Sequence, residues 1–115
     1  VPTKANIEIL GGRGATGASL TDGPEDISDG LEVNVQTETG DIAAATLYIA
    51  TEGAVDVSIE FSPDNGDTWR EPLYESPVTF DEADQDLVLI EYQATDLRVT
   101  GSNSTAVDLD LRVRA

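Results

Sequence analysis

Cysteine, histidine and methionine are all missing from the 115 residues, and lysine occurs once, at Lys4. Without cysteine there is no disulfide and no thiol nucleophile. Without histidine every His-based triad falls away, and with both gone so do the usual zinc ligands. Chemistry is left to carboxylates, hydroxyls and arginine. Aromatic residues are scarce, at 5% of the chain: Trp69, Tyr48, Tyr74, Tyr92, Phe61 and Phe80. Long apolar runs are lacking too. AAATLYIA and LVLI fall far below the roughly 20 residues that span a bilayer, and VPTKANIEIL has no apolar signal-peptide core. A soluble chain with no membrane insertion is expected, and its opening on Val1 instead of Met suggests removal of an initiator or a leader.

Negative charge is what the sequence has in excess. The 23 Asp and Glu stand against 6 Lys and Arg, giving a net charge of -17 and a pI near 4.1. In dilute buffer such a surface works against its own compaction, whereas at molar salt the screening length falls to about 3 Å and the repulsion fades. The acids are interleaved with apolar residues instead of gathered in blocks, which argues for a folded chain over an acidic disordered one. A surface of this sign repels phosphate backbones, so nucleic acid is excluded as a partner. A near absence of lysine, few aromatics and an abundance of Ala, Val, Thr, Asp and Glu resemble proteins of extremely halophilic archaea and their viruses.

With 115 residues, 39% of them hydrophobic, one domain spanning 1–115 with one core is expected. From residue 31 onward the apolar period is two. LEVNVQ sets Leu31, Val33 and Val35 against Glu32, Asn34 and Gln36, AVDVSIEF sets Val55, Val57, Ile59 and Phe61 against Asp56, Ser58 and Glu60, and the last run alternates Val107, Leu109, Leu111 and Val113 with charges. These patterns predict half-buried antiparallel strands. DLVLIEY differs, because Leu87 to Ile90 are continuous, and it predicts a central strand covered on both faces. ANIEIL, TLYIA, the segment from Thr68, SPVTF and DLRVT are shorter candidates, while TFDEADQDL has room for one helical turn. Turn chemistry in ETGD, TEG, PDNGD and GSNST separates them. The expected fold is all-β: an antiparallel β-sandwich, jelly-roll-like or Ig-like, of about eight or nine short strands and no substantial helix.

Residues 11–30, GGRGATGASLTDGPEDISDG, break this order and hold six of the ten glycines. They predict a Gly-rich loop or arm, either ordering against a neighbouring subunit or lying on the surface. GRGATG within it satisfies Gly-x-Gly-x-x-Gly, yet Gly23, Pro24 and Gly30 leave no helix to receive a pyrophosphate and no βαβ pattern follows. No cofactor is therefore expected.

Residues 62–69 read SPDNGDTW. Ser62, Asp64, Gly66, Thr68 and Trp69 fill every defining position of the Asp-box, which this segment resembles and which is best known from sialidases and other β-propeller proteins. Physically it is a hairpin device: the Ser and Asp side chains bind loop amides, Gly permits positive φ, and the Trp ring packs back on the hairpin base. The ring is expected to be buried, so that Trp69→Ala should cost about 3 kcal/mol or more through lost packing. One copy in 115 residues cannot build a propeller of at least four blades of about 40 residues. The arginines that would make a sialidase triad have to be drawn from Arg13, Arg70, Arg98, Arg112 and Arg114, with no accompanying motif. No catalytic residue is assigned and no enzyme is expected.

Asp64 and Asp67 flank the turn, but DNGD lacks the other ligands of a calcium loop, so no metal site is assigned. Asn103-Ser104-Thr105 is a sequon in a predicted loop, making Asn103 a candidate for glycosylation. Tyr74 in REPLYESP is the one ring left free for a glycan. A small acidic all-β chain with a single Asp-box resembles accessory proteins of tailed-virus particles. That resemblance implies a virion protein of a haloarchaeal virus, decorating the capsid, forming a turret or belonging to the tail. Its partners would be capsid or tail proteins and further copies of itself as a homo-oligomer. The alternative is a cell-surface or secreted recognition domain for glycans.

Overall fold

The computed structural model describes residues 3–6, 15–34, 44–90 and 94–114. Ten strands follow in order: β1 (Thr3–Asn6), β2 (Ala15–Ser19), β3 (Glu25–Asp26), β4 (Leu31–Asn34), β5 (Ala44–Thr51), β6 (Val55–Ser62), β7 (Val78–Phe80), β8 (Asp84–Ile90), β9 (Asp96–Gly101) and β10 (Ala106–Arg114). One sheet has the order β1-β4-β9-β6-β7; the other runs β2-β10-β5-β8, with β3 also pairing β10. From β4 onward consecutive strands change sheet at every connection except β6 to β7, so the chain stitches the two layers together. The expected all-β sandwich is what forms. The described residues hold ten strands where about eight or nine are expected, one pair (β1 with β4) is parallel, and no helix occurs among the described residues.

The period-two pattern decides which side chains enter the core. In the first sheet the rows Leu31–Val99–Ile59 and Val33–Leu97–Phe61 run across β4, β9 and β6. In the second, Val107, Leu109 and Leu111 stand in register with Thr51, Ile49 and Leu47. Both sets meet in one cluster between the sheets. Full burial of each aliphatic side chain contributes about 1.5–3 kcal/mol.

Three segments depart from the sequence-based reading. Residues 15–30 are not a structureless loop: β2 and β3 both pair with β10, and Leu20 and Ile27 join the core. Thr21 extends the β2 ladder with its side chain, its hydroxyl accepting the Leu109 amide at 3.0 Å and donating to Asp108 Oδ1 at 2.9 Å. Gly30, at φ 90°, could not carry a Cβ without crowding Thr100 Oγ1 at 3.3 Å. Residues 11–14, which include Arg13 and the first glycines of GRGATG, lie outside the described residues, as do Tyr92 and most of ANIEIL.

The second departure is β8, which is an edge strand and not a central one. Among the described residues its one strand neighbour is β5, and Leu87 and Leu89 point outward, 54% and 57% exposed, while Val88 packs against the core. A continuous apolar run is therefore split between core and surface. The edge is guarded by acids, the Gln85 and Leu87 amides donating to the Asp84 and Asp86 carboxylates at 2.8 Å, which occupies donors that another strand would need. Thirdly, no strand begins at Thr68. The chain makes an isolated bridge from Arg70 to Phe61, then passes through turns to β7, and the bends after Phe80 contain no helical turn.

Candidate functional site

The Asp-box segment forms the hairpin device its residue types imply. Phe61 and Arg70 exchange two backbone hydrogen bonds of 2.9 Å, closing the loop from Ser62 to Trp69. The Ser62 hydroxyl, fully buried, accepts the Gly66 amide at 2.8 Å and donates to Asp64 Oδ1 at 2.9 Å. Asp64 in turn accepts the Thr68 amide and the Thr68 hydroxyl, both at 2.8 Å. These bonds, from the Thr68 amide first, then the Thr68 hydroxyl and less from Ser62, hold the Asp64 carboxyl below the usual carboxylate range. Asn65 at φ 61° and Gly66 at φ 91° turn the chain, and Thr95 fastens the loop to the start of β9 through the Asn65 amide at 2.8 Å.

Trp69 departs from the expectation of a buried ring. It is half-buried on the outer face of the first sheet, with the Arg98 guanidinium 4.3 Å from the ring centroid. Arg98 also holds Glu60 through two hydrogen bonds, at 3.2 and 3.1 Å. A stacked, half-exposed indole loses less on truncation than a core one. Trp69→Ala is accordingly expected to cost about 2 kcal/mol in a denaturant titration, and a loss below about 0.5 kcal/mol would show that the stack contributes nothing.

Both oxygens of Asp64 are engaged inside the turn, so Asp64 and Asp67 do not converge as a cation site. No group of three or more carboxylates able to hold a metal occurs among the described residues. Nor do the described arginine side chains converge. Arg98 lies on the outer face of the first sheet, Arg112 lies on the outer face of the second, bound to Asp110 at 2.9 Å, and Arg70 sits exposed at the hairpin base. Asn103 is exposed in the turn between β9 and β10, where its Oδ1 accepts the Thr105 amide at 2.8 Å and its Nδ2 donates to the Ala54 carbonyl at 3.1 Å. Tyr74 is 91% exposed beside Leu73 at 80%, but it is not the one ring left free, because Tyr48 is exposed too.

A second surface was not anticipated. The outer face of β10, β5 and β8 carries an open groove of about 510 Å³ lined by Tyr48, Gln85, Leu87, Asp108 and Asp110 among others. Register places Leu87, Tyr48 and Asp110 in one row across the three strands, with Gln85, Ala50 and Asp108 in the next. Tyr48 is 47% exposed. The signal was present in TLYIA, where Leu47 and Ile49 alternate inward and leave Tyr48 facing out.

No protein-family model matches the chain, and no curated protein matches it. Among solved structures it is similar to chitosan-binding module 1 of a chitosanase/glucanase from Paenibacillus sp. IK-5. The two share 19% identity at a TM-score of 0.44, over 88% of this chain and 76% of that one. No binding residue transfers at that level.

Proposed function

We propose that this protein is a structural component of a virion of a halophilic archaeal virus, decorating the capsid or forming a turret, or belonging to the tail, through protein–protein contacts. The observation that carries the reading is where its exposed large apolar side chains gather. Leu87 and Leu89 project from the edge strand β8. The segment bearing Leu73 and Tyr74 adjoins the same strand, since Pro72, Glu75 and Ser76 line a small apolar slot together with Val88 and Leu89. In a chain of net charge -17 a concentration of apolar surface on one side marks a contact face. Such contacts persist in brine, where ion pairs are screened. Capsid or tail proteins and further copies arranged around a symmetry axis are its proposed partners. The role involves no catalytic step, no cofactor and no nucleic acid.

The test is co-sedimentation with particles or purified shell proteins in molar salt. Wild-type protein is expected in the particle band, and a Leu73→Asp/Leu89→Asp double variant is expected to bind at least tenfold more weakly, a loss of about 1.4 kcal/mol or more. Undiminished binding by the folded double variant would overturn the contact face. A second reading is a cell-surface or secreted glycan-recognition domain, favoured by the Tyr48 groove on the opposite side of β5 and β8 from the core. On that reading Asn103, exposed in its sequon, is the position at which the chain would itself carry a glycan.

A further inference from the structure

We infer that the groove on the outer face of β10, β5 and β8 is a binding site for a pyranose bearing a free amine, an inference that rests on the glycan-recognition reading. A volume of about 510 Å³ suits a small-molecule or oligosaccharide segment. Its apolar contribution is a half-exposed phenol, Tyr48, with Leu87 beside it in register, which forms a platform for the C–H face of a sugar ring.

Its polar contribution has one sign. Asp108 and Asp110 project from β10, and Gln85 from β8. Each carboxylate is fixed by one protein donor: Asp108 Oδ1 accepts the Thr21 hydroxyl at 2.9 Å, and Asp110 Oδ2 accepts Arg112 Nη2 at 2.9 Å. Asp110 Oδ1 is shielded from solvent with no hydrogen-bond partner among the described residues. That oxygen is as closed to a ligand as it is to water, so an incoming donor meets the remaining carboxylate surface of Asp108 and Asp110 that lines the groove. Among the described residues that line the groove there is no cation, and the Arg112 guanidinium beside it is taken up by Asp110, so an acidic sugar meets a surface of net negative charge. The complementary ligand has an apolar ring face, several donors and a positive charge, which an amino sugar combines. At molar salt screening leaves direct contacts as the source of selectivity, so stacking on Tyr48 carries the affinity and the carboxylates choose the substituent.

The experiment is calorimetric or NMR titration of the full chain, in molar salt, with a β-1,4-linked glucosamine tetramer, its N-acetylated counterpart, a uronic acid tetramer and spermidine. The glucosamine tetramer is expected to saturate, the N-acetylated one to bind at least tenfold more weakly, and the other two not to saturate. Tyr48→Ala and Asp110→Asn, each with unchanged melting, are expected to weaken the glucosamine tetramer at least tenfold and threefold respectively. Spermidine binding as tightly as the glucosamine tetramer would make this a general polycation surface and overturn the inference. Equal or better binding of the N-acetylated tetramer, lost with Tyr48→Ala, would overturn the amine selectivity and leave glycan recognition standing. Saturation by none of the sugars would remove both.

Discussion

Transfer from molar salt to tens of millimolar sodium chloride is expected to lower the melting temperature by about 15 °C or more. Two like charges 15 Å apart in water repel by about 0.3 kcal/mol. The chain confines a net -17 within 39 × 28 × 26 Å, so nearly every charge lies within a low-salt screening length of many others. The sum reaches several kcal/mol, comparable with the roughly 5–15 kcal/mol by which domains are stable at all. At about 4 °C per kcal/mol for a domain of this size the shift follows. The favourable pairs among the described residues, Arg98 with Glu60 and Arg112 with Asp110, are too exposed to offset it. Circular dichroism melts at both salt concentrations test the point, and a melting temperature indifferent to salt would refute a fold adapted to brine.

Leu109→Ala is expected to be the most damaging single truncation described here, at about 3–4 kcal/mol in chemical denaturation. Leu109 has no exposed surface and lies at the middle of β10, in register with Ile49. Its backbone is held by Leu20 at 2.8 Å and by the Thr21 hydroxyl at 3.0 Å, so β10 has little freedom to sink into the vacated space. Tyr48, one strand away but facing outward, provides the contrast, since its truncation should change stability by no more than about 0.5 kcal/mol. Equal losses at the two positions would mean that the inward and outward faces of the second sheet have been exchanged.

The parts of the fold legible in the sequence are those where the two sides of a strand differ in kind. Leu31 and Val33, the run from Val55 to Ile59, and Val107 to Leu111 each declare their burial by alternation, and the Asp-box declares its turn by side-chain hydrogen bonds that stay within eight residues. The rest depends on partners remote in sequence. β2 and β3 are poor in apolar residues and become strands because β10 offers them a ladder, which no local pattern can announce. β8 departs from the sequence pattern because a continuous apolar run marks a strand covered twice and equally marks an edge strand whose outer leucines stay exposed. Of the candidate site, Tyr74 could be read as free, and Tyr48 could be read as outward. The carboxylates that join Tyr48 in a groove come from β10, some sixty residues away, and only the register of β5 with β10 brings them together.

The stacking of Trp69 on Arg98 also makes the chain its own optical instrument. With no other indole present, ultraviolet emission near the red edge comes from one ring seated on the Arg98 guanidinium, on the outer face of the first sheet. A fluorescence transition in this protein thus reports both the opening of that hairpin and the loss of β9 beneath it, and a probe of the β-sheets as a whole separates the two.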